Sequence, residues 1–552
     1  MELRQAAADA AAREFDLIVV GGGVTGAACA RDAALRGLSV LLLEKNDFAS
    51  GTSSRSSKLI HGGLRYLETY QFKLVAESLR ERELALKLAP HLTRVDPFLY
   101  LVYEGDDYGL GMLNFALTFY DVASGHWRAR RHQMLSAAKV LQREPHLNPH
   151  GLRGAGMFFD VLTDDARFTL DLIKSAAEHG ALTLNHVAVT GLIRQGQRIT
   201  GVEARDELTG QLLRMHAKQV VNATGPWAGQ LLAKEYGAPA ARLLPSKGIH
   251  IVLDKKDFPL DTAVFIRSPD DGRVTWPMPS LEPDRVYLGT TDTEYHGDLD
   301  QVEPTEKDIQ YLLNVANHTI PDAHVDESHV LASWAGVRPL IAPAPGTTVG
   351  SASREHKVET GPGDMITVTG GKLTSHRVMA RHVIDTAVKA SRDKRTGYRA
   401  HRVPISGGNS DALSGIRARL RQSSVPEPIA LRWLRHFGAN ADRLLELWND
   451  EPAAREVIAP RDVTAAELTY CLRHEFCSSL EDFMVRRTSL FFWDGQGGLD
   501  AVSDIADRMA SALSWTPDQR ARQVEQYRQL VARHRAPFAT TDADASPAQP
   551  TS

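Results

Sequence analysis

Three glycines in the pattern Gly21-x-Gly23-x-x-Gly26 stand between an apolar run, Phe15 to Val20, and an alanine-rich stretch reaching about Arg36. Glycines so placed permit a tight turn and a close backbone approach, and the helix start that follows offers N–H groups and positive potential to a pyrophosphate. Glu44 closes a second apolar run, Leu38 to Leu43, 18 residues after Gly26. That is where an acidic side chain meets ribose hydroxyls in this motif. The competing reading is a glycine turn that merely packs a strand tightly on a helix. Strand, helix, second strand and terminal Glu in register favour dinucleotide binding. The residues do not choose between FAD and NAD. We find one fingerprint, whereas a flavoenzyme coupled to a nicotinamide ordinarily needs two. A flavin here would therefore pass its electrons to another acceptor.

A second chemical pattern is weaker. His474-x-x-Cys477 would set two metal ligands one helical turn apart, but no further ligands accompany them and no metal is expected. Cys29, Cys471 and Cys477 cannot form a disulfide framework, which fits reduced thiols in a cytosolic compartment.

The elements that must position the nucleotide motif begin with a β-α-β unit at the head of the chain. A helix is expected over Phe72 to Leu88, broken by Pro90 and Pro97, and residues 98–160 read as mixed and irregular. A helix over Phe168 to Gly180 precedes short strands at Thr183 to Val189, Gly191 to Ile193, Ile199 to Ala204 and Gln219 to Asn222. Residues 243–345 alternate β-rich runs with Pro and Gly turns around one helix, Glu306 to Thr319. The strand Met365 to Thr369 then runs through Gly370-Gly371 into a helix from Lys372 to Ala390. Beyond about residue 400 the pattern is helical and amphipathic to near 535, and the Ala-, Thr-, Asp-, Ser- and Pro-rich tail from 536 reads as disordered.

Composition sets outer bounds. The 552 residues are 43% hydrophobic and 24% charged, with a net charge of −4, so no global basic field exists to hold nucleic acid. No stretch reaches the ~20 apolar residues that span a bilayer. The first residues, with Glu2, Asp9 and Glu14, resemble neither a secretory signal nor a transit peptide.

The run Ser53-Ser54-Arg55-Ser56-Ser57-Lys58-Leu59-Ile60-His61-Gly62-Gly63-Leu64-Arg65-Tyr66-Leu67 is the most distinctive in the chain. Five further motifs follow in order: Asn222 to Trp227 (NATGPW), Lys247 to His250 (KGIH), Gly289 to Asp292 (GTTD), Gly336 to Leu340 (GVRPL) and Gly370 to Thr374 (GGKLT). In order and spacing they resemble the FAD-dependent sn-glycerol-3-phosphate dehydrogenases from about 15 to 390, and the helical region resembles that family's cap more loosely. The resemblance implies a Rossmann-like FAD-binding domain with a discontinuous β-rich substrate domain, of the D-amino-acid-oxidase kind, and a C-terminal α-helical domain. The expected limits are an extension over 1–14, an oxidoreductase domain over 15–395, a helical domain over 396–535 and the tail 536–552. Within the oxidoreductase domain, 15–97, 161–242 and 346–395 fall to FAD and 98–160 and 243–345 to substrate.

The implied reaction oxidises glycerol 3-phosphate to dihydroxyacetone phosphate, with electrons passing through FAD to a membrane quinone. Related oxidases that use dioxygen share these motifs but insert a long segment between the Arg-Pro and Gly-Gly-Lys motifs. Here Arg338 and Lys372 are 34 residues apart, which favours the dehydrogenase. A flavin-containing redox sensor that does not turn over, and an amine-oxidising enzyme of the same fold, fit the motifs less well.

The same resemblance places His61, His250 and Arg338 at the chemistry, and Arg65, Tyr66, His250, Arg338, Lys372 and Thr374 around the substrate. It places Gly21, Gly23, Gly26, Glu44, Thr52, Ser53, Ser54, Ala223, Gly225, Gly371, Lys372, Leu373 and Thr374 against FAD. Arginine forks suit a phosphate dianion, and a neutral imidazole suits the alcohol proton, with His250 preferred narrowly. A lysine in the first turn of a helix is poorly placed unless an anion lies opposite, and the pyrimidine edge of reduced flavin is such an anion. Tyr108 to Asp121 is mostly apolar and precedes the basic cluster His126 to Arg131. That pairing suits either a core helix or an interfacial contact, and a quinone acceptor favours the latter. The expectation is thus a bacterial enzyme, cytoplasmic and peripheral on the inner face of the membrane, with a homodimer left open.

Overall fold

A computed structural model of the protein describes residues 9–67, 71–125, 130–238, 243–341, 355–391 and 397–539. The strand Glu14–Val20 begins at an exposed Glu14, and from Leu17 to Val20 it is wholly apolar and buried on both faces, so it lies inside the sheet rather than at an edge. It pairs in parallel with Val40–Leu43 on one side and Leu212–Asn222 on the other. Leu182–Leu184 and Ile366–Gly370 extend the parallel set, and antiparallel strands, His356–Thr360 among them, complete eight. The helix Val24–Leu35, almost wholly buried, covers one face together with Asp165–Glu178 and His376–Ser391.

Two further sheets carry the substrate side. In the first, Leu243–Asp254 runs antiparallel to Val330–Ile341 over nearly its whole length and to Arg285–Gly289 at its far end. In the second, Thr93–Tyr103 pairs antiparallel with Leu152–Thr163, with Ala263–Arg267 alongside. From Ser410 onward the chain is mainly helical, interrupted by a short antiparallel pair, Val457–Ala459 with Val463–Thr464, that the helical pattern did not announce. Its core is continuous with Leu59, Phe98, Tyr287 and Trp334 of the substrate side.

The helices expected over Phe72–Leu88 and Glu306–Thr319 form with those limits, the latter closed by a Thr305–Asp308 capping box. Four expectations are corrected. Residues 98–160 are not irregular: they hold two long strands and the helix Leu110–Ser124, and the strands run through the expected junctions at 97/98 and 160/161. The second strand starts at Val40, not Leu38. Lys372 does not open an α-helix; it is extended and precedes a 3₁₀ turn, Leu373–Ser375, and the helix starts at His376. The tail does not begin at 536, because Ala536–Phe538 forms a turn whose Phe538 is buried in the core of the substrate side. Residues 1–8 and 540–552 lie outside the described residues.

Candidate active site

The sheet register assembles the site. Side chains alternate across a strand, so Ser246, Gly248 and His250 share one face of Leu243–Asp254. Their partners on Val330–Ile341 are Arg338, Gly336 and Trp334, and Gly289 flanks His250 on the other side. That face is thus built from two functional side chains at its ends and glycines between. The glycines leave room for a cavity of about 300 Å³. Its wall includes His61, Tyr66, His250, Arg338, Lys372 and Thr374.

Arg338 is held by a fan of acceptors. Nη2 donates to Thr290 Oγ1 at 2.7 Å, both terminal nitrogens reach Thr291 O at 3.3 Å, and Nη1 lies 3.3 Å from the Asp292 carboxylate. Arg273, which sequence reasoning missed, donates to the next carbonyl, Asp292 O, at 3.0 Å and lines the same cavity. Two guanidinium groups therefore hang from consecutive carbonyls beside the buried Nζ of Lys372, which lies 4.4 Å over the Tyr66 ring. The arrangement is cationic and shaped for an anion.

His250 is buried and stacks on Trp334 with ring centroids 4.9 Å apart. Its Nε2 shares a hydrogen bond of 2.9 Å with Ser57 Oγ. Burial, with the charges of Arg338 and Lys58 nearby, holds the imidazole well below its ordinary pKa, so it is neutral at pH 7. His61 sits across the cavity, edge-on to Trp276 at 5.7 Å, and its carbonyl accepts from Thr374 Oγ1 at 3.1 Å. Trp276 and Asp292 were also missed as wall residues. The GTTD motif holds Asp292 in plain view, whereas Arg273 and Trp276 have no local signature and reach the site only through strand pairing.

A groove of about 230 Å³ adjoins the cavity, lined by Gly21, Gly23, Glu44, Thr52, Ser53, Ala223, Gly225, Gly371, Lys372 and Leu373. It opens where the parallel strands Glu14–Val20 and Val40–Leu43 end and the helix Val24–Leu35 begins. That helix start has no acidic residue in its first turn and no side chain of its own as cap, although Ser53 Oγ accepts from Val24 N–H. Gly21 has φ +109°, and a Cβ there would lie 2.6 Å from Ala223 O. Glu44 accepts N–H bonds from Gly22 at 2.7 Å and Asn46 at 2.9 Å, which fixes its carboxylate at the rim. Groove and cavity share Thr52, Pro339, Gly371, Lys372 and Leu373, so a long ligand can reach from one into the other.

Three expected cofactor residues do not line the groove: Thr374 lines only the cavity, and Ser54 and Gly26 line neither. Ser54 is fully buried behind it, and Gly26 packs against Gly21 O, where a Cβ would lie 1.8 Å away. Gly26 thus joins helix to strand rather than meeting a ligand. The Arg65 side chain lies outside the described residues. Cys477 is buried and contacts Ser479 O, while His474 bonds Arg443, so this pair does not converge on a common point.

Residues 16–386 match the family model described as FAD dependent oxidoreductase. The chain belongs to that family. Residues 398–520 match the C-terminal domain of alpha-glycerophosphate oxidase. The aerobic glycerol-3-phosphate dehydrogenase of Bacillus subtilis (strain 168) is 35% identical over 537 residues, 95% of this chain and 96% of that relative. A namesake from Staphylococcus haemolyticus (strain JCSC1435) is 34% identical over 92% of each chain. These similarities place the chain in the same family as the aerobic glycerol-3-phosphate dehydrogenases. A glycerol-3-phosphate dehydrogenase from Bacillus halodurans, solved with FAD, superposes with a TM-score of 0.82 at 29% identity, covering 98% of this chain and 99% of that one. The glycine-lined groove, its fixed Glu44 and the passage into the cationic cavity fit the dinucleotide and ring system of FAD.

Proposed function

We propose that this FAD-dependent oxidoreductase converts sn-glycerol 3-phosphate to dihydroxyacetone phosphate and delivers the electrons to a membrane quinone. The observation that carries the reading is the cavity in which Arg338, Arg273 and Lys372 stand beside two histidines at the mouth of the nucleotide groove. When bound, FAD supplies the acceptor for the hydride that leaves the substrate's C2.

Each residue then has a definite task. Arg338 and Arg273 bind the phosphate dianion, joined by Arg65, and Tyr66 and Thr374 orient the glycerol end. Lys372 offsets negative charge that develops at the cofactor side. Neutral His250 accepts the hydroxyl proton, with His61 opposite it. Substrate itself helps: a dianion beside Arg338 cancels part of the field that depresses His250, so the imidazole becomes more basic once the site is filled. Thr52, Ser53, Ala223, Gly225, Gly371 and Leu373, with Gly21, Gly23 and Glu44, hold FAD.

Quinone delivery is supported by the helix Leu110–Ser124. Met112, Phe115 and Val122 are 56%, 69% and 64% exposed along it, with Tyr108 just before it and Phe72 nearby also exposed. An apolar face of this kind suits contact with the bilayer interface at the inner face of the cell membrane. No helix among the described residues is long and apolar enough to cross a membrane. The basic cluster expected beside it, His126 to Arg131, lies outside the described residues except for Arg130 and Arg131.

Anaerobic titration of the purified holoprotein with glycerol 3-phosphate tests the reaction. Bleaching of the visible flavin bands is expected, followed by rapid reoxidation with a quinone analogue and slow reoxidation in air. A flavin that stays oxidised, or fast peroxide formation without quinone, refutes the reading.

A further inference from the structure

Among the described residues, none from the C-terminal helical region lines the cavity or the groove. We propose that its segment Asp482–Trp493 is nonetheless a positioning strap for the site, holding the loop 44–61 at two points. One point is Asp47, beside the nucleotide turn. The other is the stretch 54–58 beneath His250.

At the first point, the buried Asp47 carboxylate lies three residues beyond Glu44. Its Oδ2 accepts from Arg486 Nε and Arg487 Nη1 at 2.5 Å each, and its Oδ1 from Arg487 Nη2 at 2.9 Å and Asn185 Nδ2 at 3.0 Å. Two consecutive arginines converge on one carboxylate from a π-helical turn, Asp482–Arg487, an irregularity that recurs at functional sites. The turn is itself pinned, because Asp482 Oδ2 accepts from the N–H groups of Ser478 and Ser479 at 2.8 and 3.0 Å. Beyond Asp47 the hold passes directly into the fingerprint. Phe48 packs so closely on Gly22 that a Cβ there would lie 2.6 Å from its ring, and Ala49 N–H donates to Gly22 O at 3.0 Å. Phe476 closes over Phe48 edge-on at 5.3 Å.

At the second point, Phe492 and Trp493 meet the Trp334 ring at 5.5 and 6.0 Å, and Trp493 meets Tyr287 at 5.9 Å. Trp334 is the ring on which His250 stacks. Its Nε1 donates to Ser56 O at 3.1 Å, and Tyr287 Oη donates to Ser57 O at 3.0 Å. Ser57 Oγ bonds His250 in turn. Lys58 Nζ, paired with Asp165 at 2.7 Å, rests 4.7 Å over the Phe492 ring. Both sides of the His250 imidazole's surroundings, its stacking partner and its hydrogen-bond partner, thus rest on two aromatic side chains of the strap.

Ordinary interface packing would also bury these groups, so the test must separate position from stability. The rate arm rests on the reading of the cavity as a glycerol-phosphate site; the cofactor arm does not. In full-length holoenzyme, Phe492→Leu and Trp493→Phe are compared with Trp448→Phe, which alters an edge-on Trp pair elsewhere in the same helical region. Anaerobic flavin reduction at saturating glycerol 3-phosphate should slow about tenfold or more in the strap variants, with the half-saturating concentration within about twofold, and about twofold or less in Trp448→Phe. Arg487→Lys should weaken FAD retention about tenfold, read by flavin fluorescence on dilution with no substrate present; Arg486→Lys, which alters the strap's other bond to Asp47, repeats that arm if Arg487→Lys does not fold. Strap variants that match the control at equal loss of melting temperature, or Arg487→Lys and Arg486→Lys proteins that hold FAD as wild type does, overturn the proposal. A wild-type protein that glycerol 3-phosphate does not reduce defeats the activity reading instead and leaves the cofactor arm to decide the strap.

Discussion

Gly248→Ala is a way to move Arg338 without touching its charge. Gly248 lies between Ser246 and His250 on the site face, and a Cβ built there falls 2.3 Å from Arg338 Nη2, 2.6 Å from Nη1 and 2.5 Å from Thr290 Oγ1. Those atoms are the far ends of flexible side chains rather than backbone, so the strand keeps its pairing and the guanidinium gives way. Restoring ordinary contact needs a retreat of about 1 Å, which breaks the 2.7 Å bond to Thr290 and swings the fork off the carbonyl of Thr291. Loss of a bidentate grip on a dianion is worth roughly 2–4 kcal/mol, or about 30- to 1,000-fold in kcat/KM. Most of it should appear in KM, because phosphate is bound alike before and during the reaction. The assay is steady-state quinone-analogue reduction against glycerol 3-phosphate, with the visible flavin spectrum and melting temperature as controls for folding and cofactor content. A Gly248→Ala protein with full flavin and wild-type kcat/KM would remove Arg338 from phosphate binding.

Gly289→Ala is the companion experiment on His250. Its Cβ would lie 2.0 Å from Cδ2 and 2.4 Å from Nε2 of that ring, so the imidazole must leave Ser57, and kcat should fall about 10²-fold with KM nearly unchanged; an unaltered kcat excludes His250 as the proton acceptor. Lys372→Ala removes a buried cation at the junction of groove and cavity, and the potential of the bound flavin, read by dye equilibration, should drop by about 50 mV; an unchanged potential contradicts the role given to Lys372. Stability should decline with acid through the buried histidines. Burial, opposed by a hydrogen bond to Leu373 O and aided by nearby arginines, holds His376 down at about 4, and burial with its arginine neighbours holds His534 down at about 3. The unfolded chain takes up these protons near pH 6.5 and the folded one does not, so the contribution is whole above pH 6.5 and is lost as pH falls toward 4, by about 2 kcal/mol for each histidine at pH 5. Thermal melts between pH 7.5 and 5 check this, and a His376→Asn protein that keeps the wild-type slope refutes the assignment.

The parts of the site that were legible in the sequence are those whose geometry is local. The turn Gly21 to Gly26 needs only the strand before it and the helix after it, and the helix Glu306–Thr319 declares itself through Thr305 and Asp308 at capping distance. The parts that were not legible depend on partners far along the chain. Pro97 reads as a breaker, yet it lies inside the strand Thr93–Tyr103, opposite Phe159. It is tolerated because the neighbouring strand starts pairing only at Phe98, so no bond is asked of its missing N–H on that edge. Arg273 looks like any surface arginine after an Asp-Asp-Gly turn until pairing of Val274–Thr275 with Ile266–Arg267 brings it over Asp292. The same holds for Asp47, which follows closely on the readable Glu44 but whose four hydrogen bonds come from positions 185, 486 and 487. Motifs of this kind therefore reveal groups that line the groove and the cavity, whereas the groups packed behind them are set by sheet register and by the helical region. A substitution that spares every motif residue can still disable the site by loosening Asp47 or Trp334, and the fault would then lie in the path from residues 482–493 to the nucleotide turn in the first case and to His250 in the second.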